Sequence, residues 1–147
     1  MTDYLDIEKA VVSVLHTHND FSDTNCQRGD LEGLKKGWDR HIRVMYARIS
    51  RRPLTATMME HVWTVKVDVL VPYRGRIQDM EDSLAQERQK VIDTLAKYPK
   101  LDNLAGVYRA EIMNGDAPEP LGSRKTAYRG QRLYLEIHQA AEPARAG

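Results

Sequence analysis

Hydrophobic and polar residues alternate most regularly in the middle of the chain, over residues 61–71. This run reads HVWTVKVDVLV, and its odd-numbered residues from Trp63 to Val71 are all apolar, while most residues between them are polar. Alternation with a period of two is typical of a strand in an antiparallel sheet that has one covered face. We therefore predict a central strand that ends at Pro72, because proline cannot donate a hydrogen bond within a ladder.

Three further segments alternate in the same way, and we predict strands over residues 41–49, 107–113 and 126–138. In the last of these, Leu133 and Ile137 belong to the alternating series RLYLEIH. Each strand would place one apolar face against a core and turn a more polar face outward.

Two segments follow a helical period instead. Over residues 3–18, and from Asp79 to the residue before Pro99, apolar residues recur every three or four positions. Thr2 or Asp3 can serve as the N-cap of the first helix, and Asp79 can cap the second. Proline ends the second helix because it forces the preceding residue out of the helical conformation.

The predicted order is helix, strand, strand, helix, strand, strand. A chain with this order most simply forms an α+β fold, in which an antiparallel or mixed sheet of four strands, or slightly more, carries two main helices on one face. We expect a single domain over residues 1–147, with long loops at 19–37, 50–60 and 114–125 and a flexible tail at 140–147.

Composition narrows the possible classes of protein. Of the 147 residues, 41% are hydrophobic and 29% are charged, which is enough for a core and too polar for a membrane protein. The 22 Lys and Arg and 21 Asp and Glu give a net charge of +1, without the basic excess typical of nucleic-acid binding. No apolar run follows Met1, so we expect neither a secretion signal nor a membrane anchor. A single cysteine excludes an internal disulfide.

Residues that could carry chemistry are few. His16, His18, Asp20, Asp23 and Cys26 lie close together in the sequence, but two histidines two positions apart point to different sides of a helix. Cys26 lies in no known nucleophile motif. No Asp or Glu precedes a lysine by two positions, so the acidic–lysine motif of metal-dependent nucleases is absent. We expect no catalytic residue, no cofactor and no metal, and therefore a protein that is not an enzyme.

Basic residues and methionines are concentrated in the predicted connections instead. Arginine and methionine are enriched at protein interfaces, and loops that project from a rigid sheet are where binding usually occurs. We predict a protein interface that comprises Arg51, Arg52, Met58, Met59, Arg74, Arg76, Arg124, Lys125 and Arg129.

Five runs carry a resemblance to a known family: HIRVMYARIS, VWTVKVDVLVPY, DMEDSLAQERQKVIDTLAKY, VYRAEIM and AYRGQRLYLEIHQ. Together they resemble the tail terminator (tail completion) proteins of long-tailed bacteriophages. The resemblance covers about residues 3–139 and lies in the order of elements and their alternation. It implies a homo-oligomeric ring, usually a hexamer, that caps the last ring of tail-tube subunits and stops their polymerisation.

The resemblance also implies partners and a location. The partners would be other copies of the chain, the tail tube protein and the head–tail connector or stopper protein, with no membrane. Genomic DNA would pass through the ring without sequence-specific binding. The protein would belong to the tail or neck of the virion and reside in the host cytoplasm during assembly. The alternatives are a head-completion or stopper protein of the neck, a small α+β ligand-binding domain or enzyme, and a small DNA-associated nuclease.

Overall fold

The described residues form two helices and one mixed sheet of six strands, which confirms the predicted α+β class. The computed structural model describes residues 3–29, 41–72, 76–121 and 128–141. In chain order the elements are α1 (Tyr4–Leu15), β1 (Cys26–Arg28), β2 (His41–Pro53), β3 (Met59–Pro72), α2 (Ile77–Ala96), β4 (Val107–Gly115), β5 (Glu119–Leu121) and β6 (Tyr128–Ala141).

β3 lies in the centre of the sheet, whose strand order is β1-β2-β3-β6-β4. All neighbouring strands are antiparallel except β1, which runs parallel to β2. β5 pairs with the first residues of β6, on the side where β4 pairs with the later ones. β4 and β5 therefore form one interrupted edge of the sheet.

The odd-numbered side chains of β3 from Trp63 to Val71 are at most 5% exposed, as the alternation predicted. They form one core with Val11 of α1 and with Leu84 and Val91 of α2. Both helices therefore pack on the same face of the sheet. Burial of each such aliphatic side chain contributes about 1.5–3 kcal/mol to stability.

Both helices differ slightly from their predicted bounds. Asp3 caps α1 in a capping box with Asp6, but α1 ends at Leu15, because the next residues make the tighter backbone bonds of a turn. α2 begins at Ile77, before Asp79, and Asp79 lies in its first turn, where a negative charge is favourable. Within the described residues, no helix is long and apolar enough to cross a membrane.

The predicted sheet of four strands, or slightly more, agrees only roughly with the six described strands, because β1 and β5 lie inside the predicted loops at 19–37 and 114–125. Each contains three residues, which is too few for alternation to be recognised. Their pairing with long strands fixes them instead, as when the Ile42 amide donates to the Asn25 carbonyl over 2.7 Å.

The predicted loop at 50–60 is also mostly strand, since β2 continues to Pro53 and β3 begins at Met59. Proline is tolerated there because Pro53 is the last residue of β2, which is an edge strand at that point. The predicted tail at 140–147 begins inside β6, which ends at Ala141. Parts of the predicted loops, 30–37 and 122–125, and residues 142–147 lie outside the described residues.

Val67→Asp should prevent folding, because it places an unpaired carboxylate in the core between the sheet and the helices. We expect a loss of about 3–5 kcal/mol, a large part of the stability of a typical domain. Thr64→Asp is the matched control, since Thr64 lies partly exposed on the opposite face of β3. Urea denaturation followed by circular dichroism measures both; cooperative unfolding of Val67→Asp at the midpoint of the natural protein would contradict the assignment.

Candidate functional site: the helix-free face and the ends of the sheet

The face of the sheet opposite the helices, called here the helix-free face, carries polar side chains in rows that cross the strands. One row joins Arg48, Thr64, Glu136 and Glu111, on β2, β3, β6 and β4 in turn. Charges of both signs are thus interspersed on a surface that described helices leave uncovered.

A buried ion pair lies on the same face, two rows away along β3. Asp68 is 5% exposed and accepts two hydrogen bonds from Arg132, to Oδ1 from Nε over 2.7 Å and to Oδ2 from Nη2 over 3.1 Å. The hydrogen bond with Asp68 is the main cause that raises the pKa of Arg132 above its usual value. This two-point contact stabilises the pairing of β3 with β6 in the observed register.

A second buried carboxylate gathers side chains from three other strands. Glu60 of β3 is 2% exposed and accepts hydrogen bonds from Arg52 of β2 and from the hydroxyl of Tyr108 of β4. His138 of β6 lies 3.6 Å from Glu60, and its other ring nitrogen lies 2.8 Å from Glu136. The charged and polar groups of this network are paired with one another. The network therefore joins four strands at the hairpin end of the sheet, where β2 and β6 end and β3 and β4 begin.

A shallow groove on the helix-free face, of about 330 Å³, lies between the first row and the last residues of β4. Its lining includes Arg48, Thr64, Met113, Tyr134 and Glu136, and Met113 is 49% exposed. Its arginine, tyrosine and methionine side chains are of the types enriched at protein interfaces.

Four of the predicted interface residues come together at the hairpin that joins β2 to β3. Arg51 is exposed, and Met58 and Met59 are half-buried at the turn. Arg52 is exposed over 66% of its side chain, but its guanidinium bonds to the buried Glu60. Arg52 therefore has a structural role in addition to any role in binding.

Two other predicted interface residues lie at the opposite end of β3. Arg76 is exposed at the N-cap of α2, and Arg129 of β6 donates to Glu81 of α2 over 2.7 Å. The structure therefore separates the predicted interface into two groups, one at each end of the sheet. The remaining predicted interface residues lie outside the described residues: Arg74, Arg124 and Lys125.

The sequence candidates for chemistry have local structural partners. The His16 ring lies 2.9 Å from the Cys26 carbonyl and 3.6 Å from Asp23, while His18 accepts a hydrogen bond from the Asp20 amide. Cys26 is fully buried, and this burial raises the pKa of its thiol to about 12, which disfavours the reactive thiolate. Within the described ranges, no cluster of His, Cys, Asp and Glu could hold a metal ion.

The outer side of β2 changes character along its length. Near its start, β1 pairs with Ile42 and Val44, and the Tyr46 amide then donates to the buried Glu8 carboxylate over 2.7 Å. A bulge follows between Tyr46 and Arg48. No described strand pairs with the outer side of residues 47–53, which we call the open β2 edge.

The sequence did not identify Glu60, Tyr108 and His138 as a group. Tyr108 and His138 lie 48 and 78 residues after Glu60 in the chain, and only the register of three strands brings the three residues together. The sequence did contain an indication of this group. Glu60 continues the even-numbered polar positions of the predicted central strand, but residues 50–60 were predicted to be a loop.

Neither models of known protein families nor curated protein sequences match this chain. The resemblance to tail terminator proteins therefore stays a prediction.

Arg52→Ala and Arg51→Ala should differ in their effects on stability. Arg52→Ala removes a charged donor from a buried carboxylate, and we expect it to lower the free energy of unfolding by about 1–3 kcal/mol. Arg51→Ala changes an exposed side chain and should stay within about 0.5 kcal/mol of the natural protein. Urea unfolding measures both values, and equal effects would show that Glu60 does not depend on Arg52.

Stability should fall as the pH decreases from about 6.5 to about 4. His41 is fully buried, and this burial, with the charge of Arg43 as a smaller cause, lowers its pKa to about 4. In this pH range the unfolded chain binds a proton at His41 and the folded chain does not, so acid favours unfolding by up to about 3 kcal/mol. Urea midpoints of the natural protein and of His41→Gln between pH 4 and 7 test this; parallel curves would contradict it.

Proposed function

We propose that this chain is a structural protein of a bacteriophage virion, a tail terminator that forms a ring on the end of the tail tube. The ring stops the polymerisation of tube subunits and joins the tail to the head connector. The observation that carries the proposal is the presence of exposed contact residues at both ends of one helix-packed sheet.

The first end is the tip of the β2–β3 hairpin. Leu54 is 45% exposed beside Arg51 and the half-buried Met58. The turn is held by the Leu54 amide, which donates to the Met58 carbonyl over 2.9 Å, and by the Thr55 hydroxyl, which accepts from the Met58 amide over 3.0 Å. A preordered tip with apolar and basic side chains suits a protein partner, because little freedom is lost on binding.

The second end lies at the start of α2. Ile77 is 62% exposed, and Arg76 carries a positive charge beside the helix N-terminus, where the helix dipole makes it unfavourable. Both side chains are exposed and therefore accessible to a partner. β3 has 14 residues, and at about 3.3 Å per residue the two ends are roughly 43 Å apart.

A ring between two partners needs these properties. Rings form through heterologous contacts, in which two different patches of one subunit meet, and the two ends of such a ring differ. Two chemically different ends allow the tube and the connector to be distinguished. A net charge of +1 suits a ring through which DNA passes without being held tightly.

The tail tube protein that this proposal implies provides the test. Tubes polymerised with the natural chain should be short and uniform in electron micrographs. We compare a Leu54→Asp variant at the hairpin end with an Arg76→Glu/Ile77→Asp variant at the other end. One of them should lose capping because its tube-facing contact is gone, and the other should cap normally but lose binding to the connector.

Lys9→Glu, at an exposed position on α1, is the control and should cap like the natural chain. Tubes of unchanged length with the natural chain would contradict the terminator role. If the chain then still bound the connector, it would be a stopper protein of the neck.

A further inference from the structure

The sheet has two outer edges whose backbone groups point away from it. On β2, the even-numbered residues point outward: the Ile42 and Tyr46 amides donate to Asn25 and Glu8, and the Val44 carbonyl accepts from the Gly29 amide. The odd-numbered residues between them face β3. The bulge shifts this alternation by one residue, so that along the open β2 edge the backbone groups of Ile49 and Arg51 point outward.

β4 has the same property on the opposite side of the sheet. Arg109 and Glu111 are paired with even-numbered residues of β6, and the odd-numbered residues of β6 are those that face β3. The backbone groups of Ala110 and Ile112 therefore point away from β6. Within the described ranges, no strand pairs with this side of β4.

The two edges carry opposite charges. The open β2 edge, ARISRRP, contains three arginines and no acidic residue. The stretch of β4 and β5 over residues 107–121 contains Glu111, Asp116 and Glu119 against Arg109 alone. Opposite charges on facing strands stabilise their pairing, and like charges directly opposite one another destabilise it.

The register places these charges at the same height. Arg48 and Glu111 are the two outer members of a single row across the sheet, with Thr64 and Glu136 between them. β2 and β4 also run in opposite directions, because three antiparallel pairings connect them. A neighbouring copy related by rotation about an axis along the strands would therefore present β4 antiparallel to β2, with its Glu111 opposite Arg48.

We infer that the open β2 edge binds β4 of a second copy of this chain, so that the sheets of successive subunits join edge to edge. Pairing of β2 with a second β2 would place arginines opposite arginines, which disfavours that arrangement. This inference rests on the ring proposed above and names the contact that closes it. Edge strands left open in this way are ready templates for pairing with another chain.

Disulfide trapping tests the register. In the chain with Arg48→Cys and Glu111→Cys, the two cysteines are about 14 Å apart within one subunit, too far for an internal disulfide. Between subunits they would face each other in a non-hydrogen-bonded pair, where side chains come closest. Mild oxidation should give a ladder of covalent oligomers, free in solution or on growing tube ends; the buried Cys26 does not compete.

The single variants Arg48→Cys and Glu111→Cys, and the pair Arg48→Cys with Asn114→Cys one row away, are the matched controls. They should give at least tenfold less cross-linked product. A covalent dimer from a single variant would indicate pairing of like edges, and no ladder from the first pair under either condition would overturn the inference.

Charge reversal gives an independent test. The chain with Arg48→Glu and Arg51→Glu has two acidic edges, and the chain with Glu111→Arg and Glu119→Arg has two basic edges. Each alone should self-associate at least tenfold more weakly than the natural chain in sedimentation measurements or on tube ends. An equal mixture should recover association, because each chain then meets the opposite charge on both sides.

Failure of the mixture to recover, or full association of either variant alone, would overturn the inference. These results are separate from the test of tail termination. Edge-to-edge rings that fail to cap tubes would leave this contact valid and remove the proposed function. If each charge-reversed chain alone capped tubes normally, the edge contact would be wrong and the proposed function would stand.

Discussion

The burial of one face of β3 is the constraint on which the rest of the structure depends. Because its side chains alternate, a slip of one residue would place Lys66 and Asp68 in the core and expose the valines, so only one register is stable. β3 is central in the sheet, and this register therefore determines where β2 and β6 meet it. The rows of the helix-free face, the buried carboxylates and the heights of both edges all follow from it.

The sequence was a good guide wherever a segment was long and periodic. The central strand, the apolar stripes of both helices and their packing on one face were predicted correctly, because each depends on a local pattern of burial. The pattern could not reveal β1 and β5, which exist only because long strands lie beside them. It also placed a loop at 50–60, since Pro53 and two arginines are typical of loops unless an edge strand is present.

The candidate site was less predictable than the fold. Basic residues in connections could be listed from the sequence, but their distribution between the two ends of the sheet follows from topology. The sequence could not distinguish Arg51 from Arg52, although the structure gives Arg52 a buried partner in Glu60. Two neighbouring arginines look equivalent in the sequence, but the pairing of β2 with β3 places a buried carboxylate beside only one of them.

The carboxylate of Glu8 has a consequence beyond its own burial. It accepts the hydrogen bond of the Tyr46 amide, at the position where a longer β1 would otherwise continue along β2. The same carboxylate blocks an incoming strand from advancing past that point. It therefore limits the length of a strand that can pair with the outer side of β2. A partner strand can pair with the open β2 edge but not with the whole of β2.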